Sequence, residues 1–140
     1  MDDIFRFSVG TEVEMAVRLV LSALFGAVVG FEREHAEKPA GMRTLGLVSL
    51  GAAAFTLASI YGFLGPADPS RIAAQVVTGV GFLGAGTILR EGLTVRGLTT
   101  AASIWAIAAV GVAVGAGMYI LAVVGTVLTL VLLHFIPRGR

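Results

Sequence analysis

Acidic, guanidinium and amide side chains recur in this chain at helical spacing. Asp68, Arg71, Gln75 and Thr78 follow one another at three- and four-residue steps, which puts Arg71, Gln75 and Thr78 on one face of a helix. Inside a lipid-spanning bundle such a face could line a polar cavity with Asp68 at its mouth, because intramembrane polar groups mark ion or solute pathways. A plainer reading of the same residues is structural. Asp68 before Pro69 is a helix N-cap, and Arg71 snorkels to the surface. A second group, Glu32, Arg33 and Arg43, borders the densest run of charge, residues 32–43. Glu32 and Arg43 fall at the ends of neighbouring apolar segments and could pair or hold an ion, or the whole run could be a solvated loop. Arg96, Thr99 and Thr100 form a third group ahead of Ser103 and Trp105. Helix capping and an aromatic interface anchor are the structural account of these.

No catalytic set emerges from the remaining groups. His35 and His134 lack metal-ligand spacing, and no serine, histidine and acid fall into a nucleophilic arrangement. Cysteine is absent, which removes disulfides, thiolate chemistry and cysteine-based metal sites. Gly79-Val80-Gly81-Phe82-Leu83-Gly84 matches the dinucleotide fingerprint letter for letter. That fingerprint needs a preceding strand, a βαβ unit and an acid about 20 positions on, and here it lies in an apolar helix with no acid after Glu91. The expectation is a protein that is not an enzyme and carries no cofactor; no metal ligand is assigned.

Composition says what must position these groups. Of 140 residues 56% are hydrophobic and 14% charged, with a mean hydropathy of +0.92, outside the range of soluble domains. Membrane lipids are therefore the first partners. A net charge of +1 gives no reason to expect nucleic acid. Residues 1–11 lack a basic segment leading into an apolar one, so no cleavable leader is expected and the stretch should lie at an interface.

A run of about 20 apolar residues matches the thickness of a bilayer's hydrocarbon. The pattern predicts an all-α integral membrane protein, a five-span helical bundle forming one transmembrane domain over residues 1–140. Its spans fall near residues 12–31, 44–63, 70–89, 99–114 and 118–136. Leu98 to Ile136 holds no charge and no proline over 39 residues. As one helix it would be about 58 Å long, nearly twice the hydrocarbon thickness, so it must fold back, and the break belongs at Gly115-Ala116-Gly117. Glu14 and Arg18, four apart, are placed to pair.

Small residues supply the helix-packing faces: Ser22, Gly26 and Gly30 in the first span, Gly79, Gly81, Gly84 and Gly86 in the third, Gly111 and Gly115 in the fourth. Glycine costs a helix in water about 1 kcal/mol relative to alanine. Close backbone approach is the expected reward, which places the third span at the centre of the bundle. Arg33, Lys38, Arg43, Arg90, Arg96, Arg138 and Arg140 fall on one side against Arg6, Arg18 and Arg71 on the other. The positive-inside rule then puts the N-terminus outside and the C-terminus in the cytoplasm.

Four segments carry a resemblance: Gly30-Phe31-Glu32-Arg33-Glu34, Pro39-Ala40-Gly41-Met42-Arg43-Thr44, the stretch from Ser70 to Gly86, and Val95-Arg96-Gly97-Leu98-Thr99-Thr100-Ala101-Ala102. With these the chain resembles the MgtC/SapB family of bacterial inner-membrane proteins over about Leu21 to Met118. The resemblance implies a multi-pass plasma-membrane protein linked to growth under magnesium limitation and to survival inside macrophages. It also implies a regulatory role, which for the family's virulence factor includes inhibition of the proton-driven ATP synthase, so that such a membrane complex is a candidate partner. The chain looks like a short form, without the soluble C-terminal domain of the virulence-factor branch.

Two functions remain open. One is a non-enzymatic regulator acting through helix contacts with itself or with a partner membrane complex. The other is an ion or small-solute transporter, with magnesium as a candidate, using Asp68, Arg71, Gln75 and the Glu32/Arg43 pair. The membrane-proximal acids are flanked by arginines, which argues against a bare cation cage and fits salt-bridged gates, a bound anion or a lipid headgroup. Either function favours a homo-oligomer, as a dimer, because so small a chain buries little around a closed pathway.

Overall fold

The computed structural model describes residues 7–63 and 65–137. Most of the interfacial segment expected at residues 1–11 lies outside them, as do Arg6, Arg138 and Arg140 of the orientation count. Among the described residues five helices and one hairpin follow in the order α1 (Val9–His35), α2 (Met42–Tyr61), α3 (Ser70–Ala85), β1 (Leu89–Glu91), β2 (Thr94–Arg96), α4 (Leu98–Gly115) and α5 (Tyr119–Phe135). Helices α1, α2 and α4 are long and apolar enough to cross a membrane. At 16 and 17 residues, α3 and α5 reach about 24 and 26 Å.

Helix α1 runs four residues beyond the expected end at Phe31, because its i to i+4 ladder continues through the charged residues instead of opening into a loop. It stops in a Schellman arrangement, with Glu37 at φ 53° and Lys38 N–H donating to Arg33 O at 2.9 Å. Glu34 Oε1 then accepts from Met42 N–H at 2.9 Å and closes the start of α2. Much of the run read as a solvated loop is thus helix and cap.

The centre of the bundle belongs to α4, not to α3. Ten residues of α4 are buried, against Val76, Val80 and Gly84 on α3. Alanine, glycine, valine and isoleucine make up most of α4, so it can be buried on all but the face of Leu98, Ala102, Trp105 and Ala109, with Ile104, Ile107 and Val114 in one core cluster with Val29 of α1 and Leu45 of α2. Its glycines set the spacing. A β-carbon on Gly111 would collide with Ser49 O and stand 2.9 Å from Ala52 Cβ, and one on Gly115 would stand 2.8 Å from Ala53 O. Gly26 and Gly30 of α1 meet the α2 backbone in the same way, at Leu45–Gly46 and Gly41–Met42, and Ser22 is fully buried beside them.

Helix α3 differs from its expected form in two respects. It ends at Ala85, not at residue 89, and the run that follows pairs as an antiparallel ribbon with Leu89 opposite Arg96 and Glu91 opposite Thr94. Gly92 at φ 61° supplies the positive dihedral that a two-residue hairpin turn demands at its first position. The second difference is that Gly79 and Gly81 face outward, where a β-carbon would find no atom within 4 Å, while Gly86 meets only carbonyls of its own helix end. Only Gly84 packs across, with a β-carbon position 3.4 Å from Ala101 O.

The break between α4 and α5 falls where the sequence places it. Gly117 takes φ 77°, and Met118 N–H reaches Ala113 O at 2.8 Å, a second Schellman end.

Candidate functional site

The polar residues gather at the two ends of the bundle. At one end α1 finishes, the hairpin turns and α4 begins. Arg33 is 3% exposed, and its Nη2–H donates to Thr100 Oγ1 at 3.0 Å across 67 residues of sequence. Glu32 Oε2 lies 4.0 Å from Arg33 Nη1. Thr100 is itself buried, and its carbonyl accepts from Ser103 Oγ at 2.7 Å. This cluster borders a cleft of about 680 Å³ whose walls include Glu37, Lys38, Arg96 and Thr99. Gly97 starts α4 at φ 87°, where a β-carbon would collide with Thr87 O. Only glycine fits that approach, so the hairpin can fold back onto the head of α4.

Of the residues singled out from sequence, the structure thus brings together Glu32, Arg33, Arg96, Thr99 and Thr100. Arg43 does not join them. It is exposed near the start of α2, and the cation near Glu32 is its chain neighbour Arg33, so the expected Glu32/Arg43 pair does not form. The reason is helical: with α1 extended to His35, Glu34 instead of Glu32 arrives opposite the start of α2.

At the other end Asp68 caps α3. Its Oδ1 accepts from Ser70 N–H at 2.9 Å and from Ser70 Oγ–H at 2.7 Å. These donors, with Arg71 as a lesser influence, hold the Asp68 carboxyl below the usual carboxylate range. Arg71, Gln75 and Thr78 are exposed on the outer surface of α3, so the chain encloses no polar cavity around them. A largely apolar groove of about 600 Å³ runs beside them between α2 and α3, lined by Gly51, Phe55, Gln75, Gly79 and Leu83 among others.

Sequence reasoning pairs Arg18 with Glu14, and that contact forms. It misses the rest of the Arg18 site. Arg18 Nη1–H donates to Gly115 O at 2.8 Å and Nε–H to Tyr119 Oη at 3.1 Å, so one α1 side chain holds the turn between α4 and α5. A basic residue near a helix C-terminus is the signal, but nothing in the sequence says which helix it will meet. Among the described residues no group of three or more His, Asp or Glu side chains gathers to hold a metal ion.

Apolar helices closed around a small-residue centre, with ionic groups confined to the ends, define a membrane protein. A model of the MgtC family matches residues 19–139, and the chain belongs to that family. It is 49% identical over 128 residues to the Escherichia coli K12 protein named "Putative magnesium transporter YhiD", covering 86% of this chain and 60% of that one. It is 47% identical over 114 residues to the protein MgtC of Salmonella typhimurium LT2, covering 81% and 48%. A Synechocystis protein of uncharacterized role is 45% identical over 118 residues. The chain spans about half to three fifths of the length of these relatives. No solved structure matches it.

Proposed function

We propose that this chain is a non-enzymatic regulator in the bacterial inner membrane, linked to magnesium-limited growth, which works by presenting a helix face to a membrane partner. One observation carries the reading: the polar residues of α3 and its Gly79 and Gly81 point outward while the interior is closed backbone against backbone. Arg71, Gln75, Thr78, Gly79 and Gly81 all lie on the exposed surface of α3. In lipid an exposed amide has nothing to hydrogen-bond, and open glycines forgo packing that larger residues would make. A second helix seated there relieves both costs. A second copy of the chain is the occupant we favour, because Asp68 and Arg71 make the face self-complementary in charge about a two-fold axis along the membrane normal. In this reading all five helices span, with the basic rim of Arg33, Lys38 and Arg96 in the cytoplasm and the N-terminus outside.

Transport is the second reading, supported by the name of the Escherichia coli relative and by the buried charge at Arg33. Magnesium would then be cargo, with Glu37 on the cleft wall and Glu32 beside the buried Arg33 as the carboxylates at the cytoplasmic mouth. One experiment separates the two. A photo-crosslinker at Gln75 in cells, run beside magnesium flux in proteoliposomes, should capture a second copy or a membrane partner, while flux stays at the level of empty vesicles. Magnesium flux that collapses on Glu32→Ala in a folded protein, with nothing captured at position 75, would overturn the regulator and establish the transporter.

A further inference from the structure

We propose that the cleft at the basic rim binds a phosphate-bearing anion, either the headgroup of an acidic phospholipid or free phosphate. Three separate segments bring cations to it: Arg33 from the end of α1, Lys38 from the α1–α2 loop and Arg96 from the end of β2. Glu37 is the one carboxylate among the lining residues. With Glu32 beside Arg33 counted as well, three positive charges stand against two negative, which leaves the recess net positive. At about 680 Å³ the recess has room for a phosphate diester with its substituents.

Two further features fit the same ligand. Arg33 lines the cleft although it is 3% exposed, and its bond to Thr100 Oγ1 holds the guanidinium in place before any ligand arrives. A planar, preset guanidinium suits the paired oxygens of a phosphate better than it suits a monatomic ion. The 18-residue α4 also begins at the cleft with Gly97 in the N-cap position, so no side chain caps its first turn. The amide hydrogens there add partial positive charge where Thr99 and Thr100 line the wall. Leu89, Val95 and Leu98 stand on the same wall, 59%, 46% and 58% exposed, and give the recess an apolar lip against which acyl chains can lie.

The full chain in neutral detergent, followed by thermal unfolding through its single tryptophan, provides the test. The probes are inorganic phosphate against chloride at equal ionic strength, and short-chain phosphatidylglycerol against phosphatidylcholine of the same chain length. A bound anion raises the unfolding midpoint by mass action. Arg33 variants can fail to fold, so the variants are Lys38→Gln and Arg96→Gln, with Arg90→Gln as a control of equal charge change. Arg90 sits on the same hairpin, outside the cleft lining, with its Nε–H on Gly92 O. The concentration giving half the shift should rise about tenfold in each cleft variant and stay put in the control. A response to phosphatidylglycerol alone assigns a lipid headgroup, and a response to phosphate assigns the free anion. No shift with either probe, or equal loss in all three variants, overturns the site.

Discussion

Helices α3 and α4 are both rich in glycine, and they use it in opposite ways. On α4, Gly111 and Gly115 press against the backbone of α2 with no room for a methyl group. On α3, Gly79 and Gly81 look into open space. Composition therefore does not say which helix is central. What separates them is the remainder of each helix: the buried polar side chains of α4, Thr100 and Ser103, lie in its first turns and are hydrogen-bonded there, whereas α3 carries Arg71, Gln75 and Thr78 on its exposed face. A helix can be buried around most of its circumference only if the faces it buries demand neither water nor a polar partner that the bundle fails to supply.

The largest effect expected from this contrast is at the α2–α4 crossing. Gly111→Val should cost about 3 kcal/mol or more, because backbone atoms that cannot rotate away stand where the side chain would go. Folded yield after detergent extraction would read it, and a near-normal yield would break the contrast at its stronger end. Arg33→Met should follow, at about 2–4 kcal/mol, by leaving Glu32 half-buried beside an apolar side chain. Loss of the Arg18 bonds to Gly115 O and Tyr119 Oη in Arg18→Met should cost about 1–2 kcal/mol, measured as unfolding in denaturant.

On α3 the expectation reverses. Gly79→Ala and Gly81→Ala should leave the fold intact, with a gain of up to about 1 kcal/mol in helix stability, while weakening crosslinking between copies. Equal damage from Gly81→Ala and Gly111→Ala would mean that α3 is packed within the chain after all. The smallest effect concerns Asp68. Its carboxyl is held below the usual range in the folded chain, so its contribution is present above the unfolded value and is lost as pH falls through the folded one. Unfolding midpoints should therefore fall in acid below about pH 4, and Asp68→Asn should flatten that part of the profile.

Legibility follows sequence distance. The fold-back at Gly115-Ala116-Gly117, the cap at Asp68 and the Glu14–Arg18 pair are all local, and each is readable because its partners lie within five residues. The Arg33–Thr100 bond spans 67 residues and the Arg18–Gly115 bond 97, and no periodicity encodes either. Proximity to a span end suggests Glu32 as the partner of Arg43, but the extra turn of α1 changes which acid faces α2. The stretch from Arg90 to Thr100 reads as a short polar loop after the third span because three-residue strands are too brief to show alternation.

By itself the sequence determined that the chain lives among lipids, that α3 starts after the cap at Asp68, and that α4 gives way to α5 at Gly115-Ala116-Gly117. Those are properties of short windows, set by hydropathy and by dihedrals that only glycine tolerates. Only the tertiary structure decided that α4 and not α3 is central, that Arg33, Lys38 and Arg96 share one cleft, and that Arg18 holds a distant turn. Such choices depend on which faces meet, and a face is shared between segments that the chain brings together only by folding.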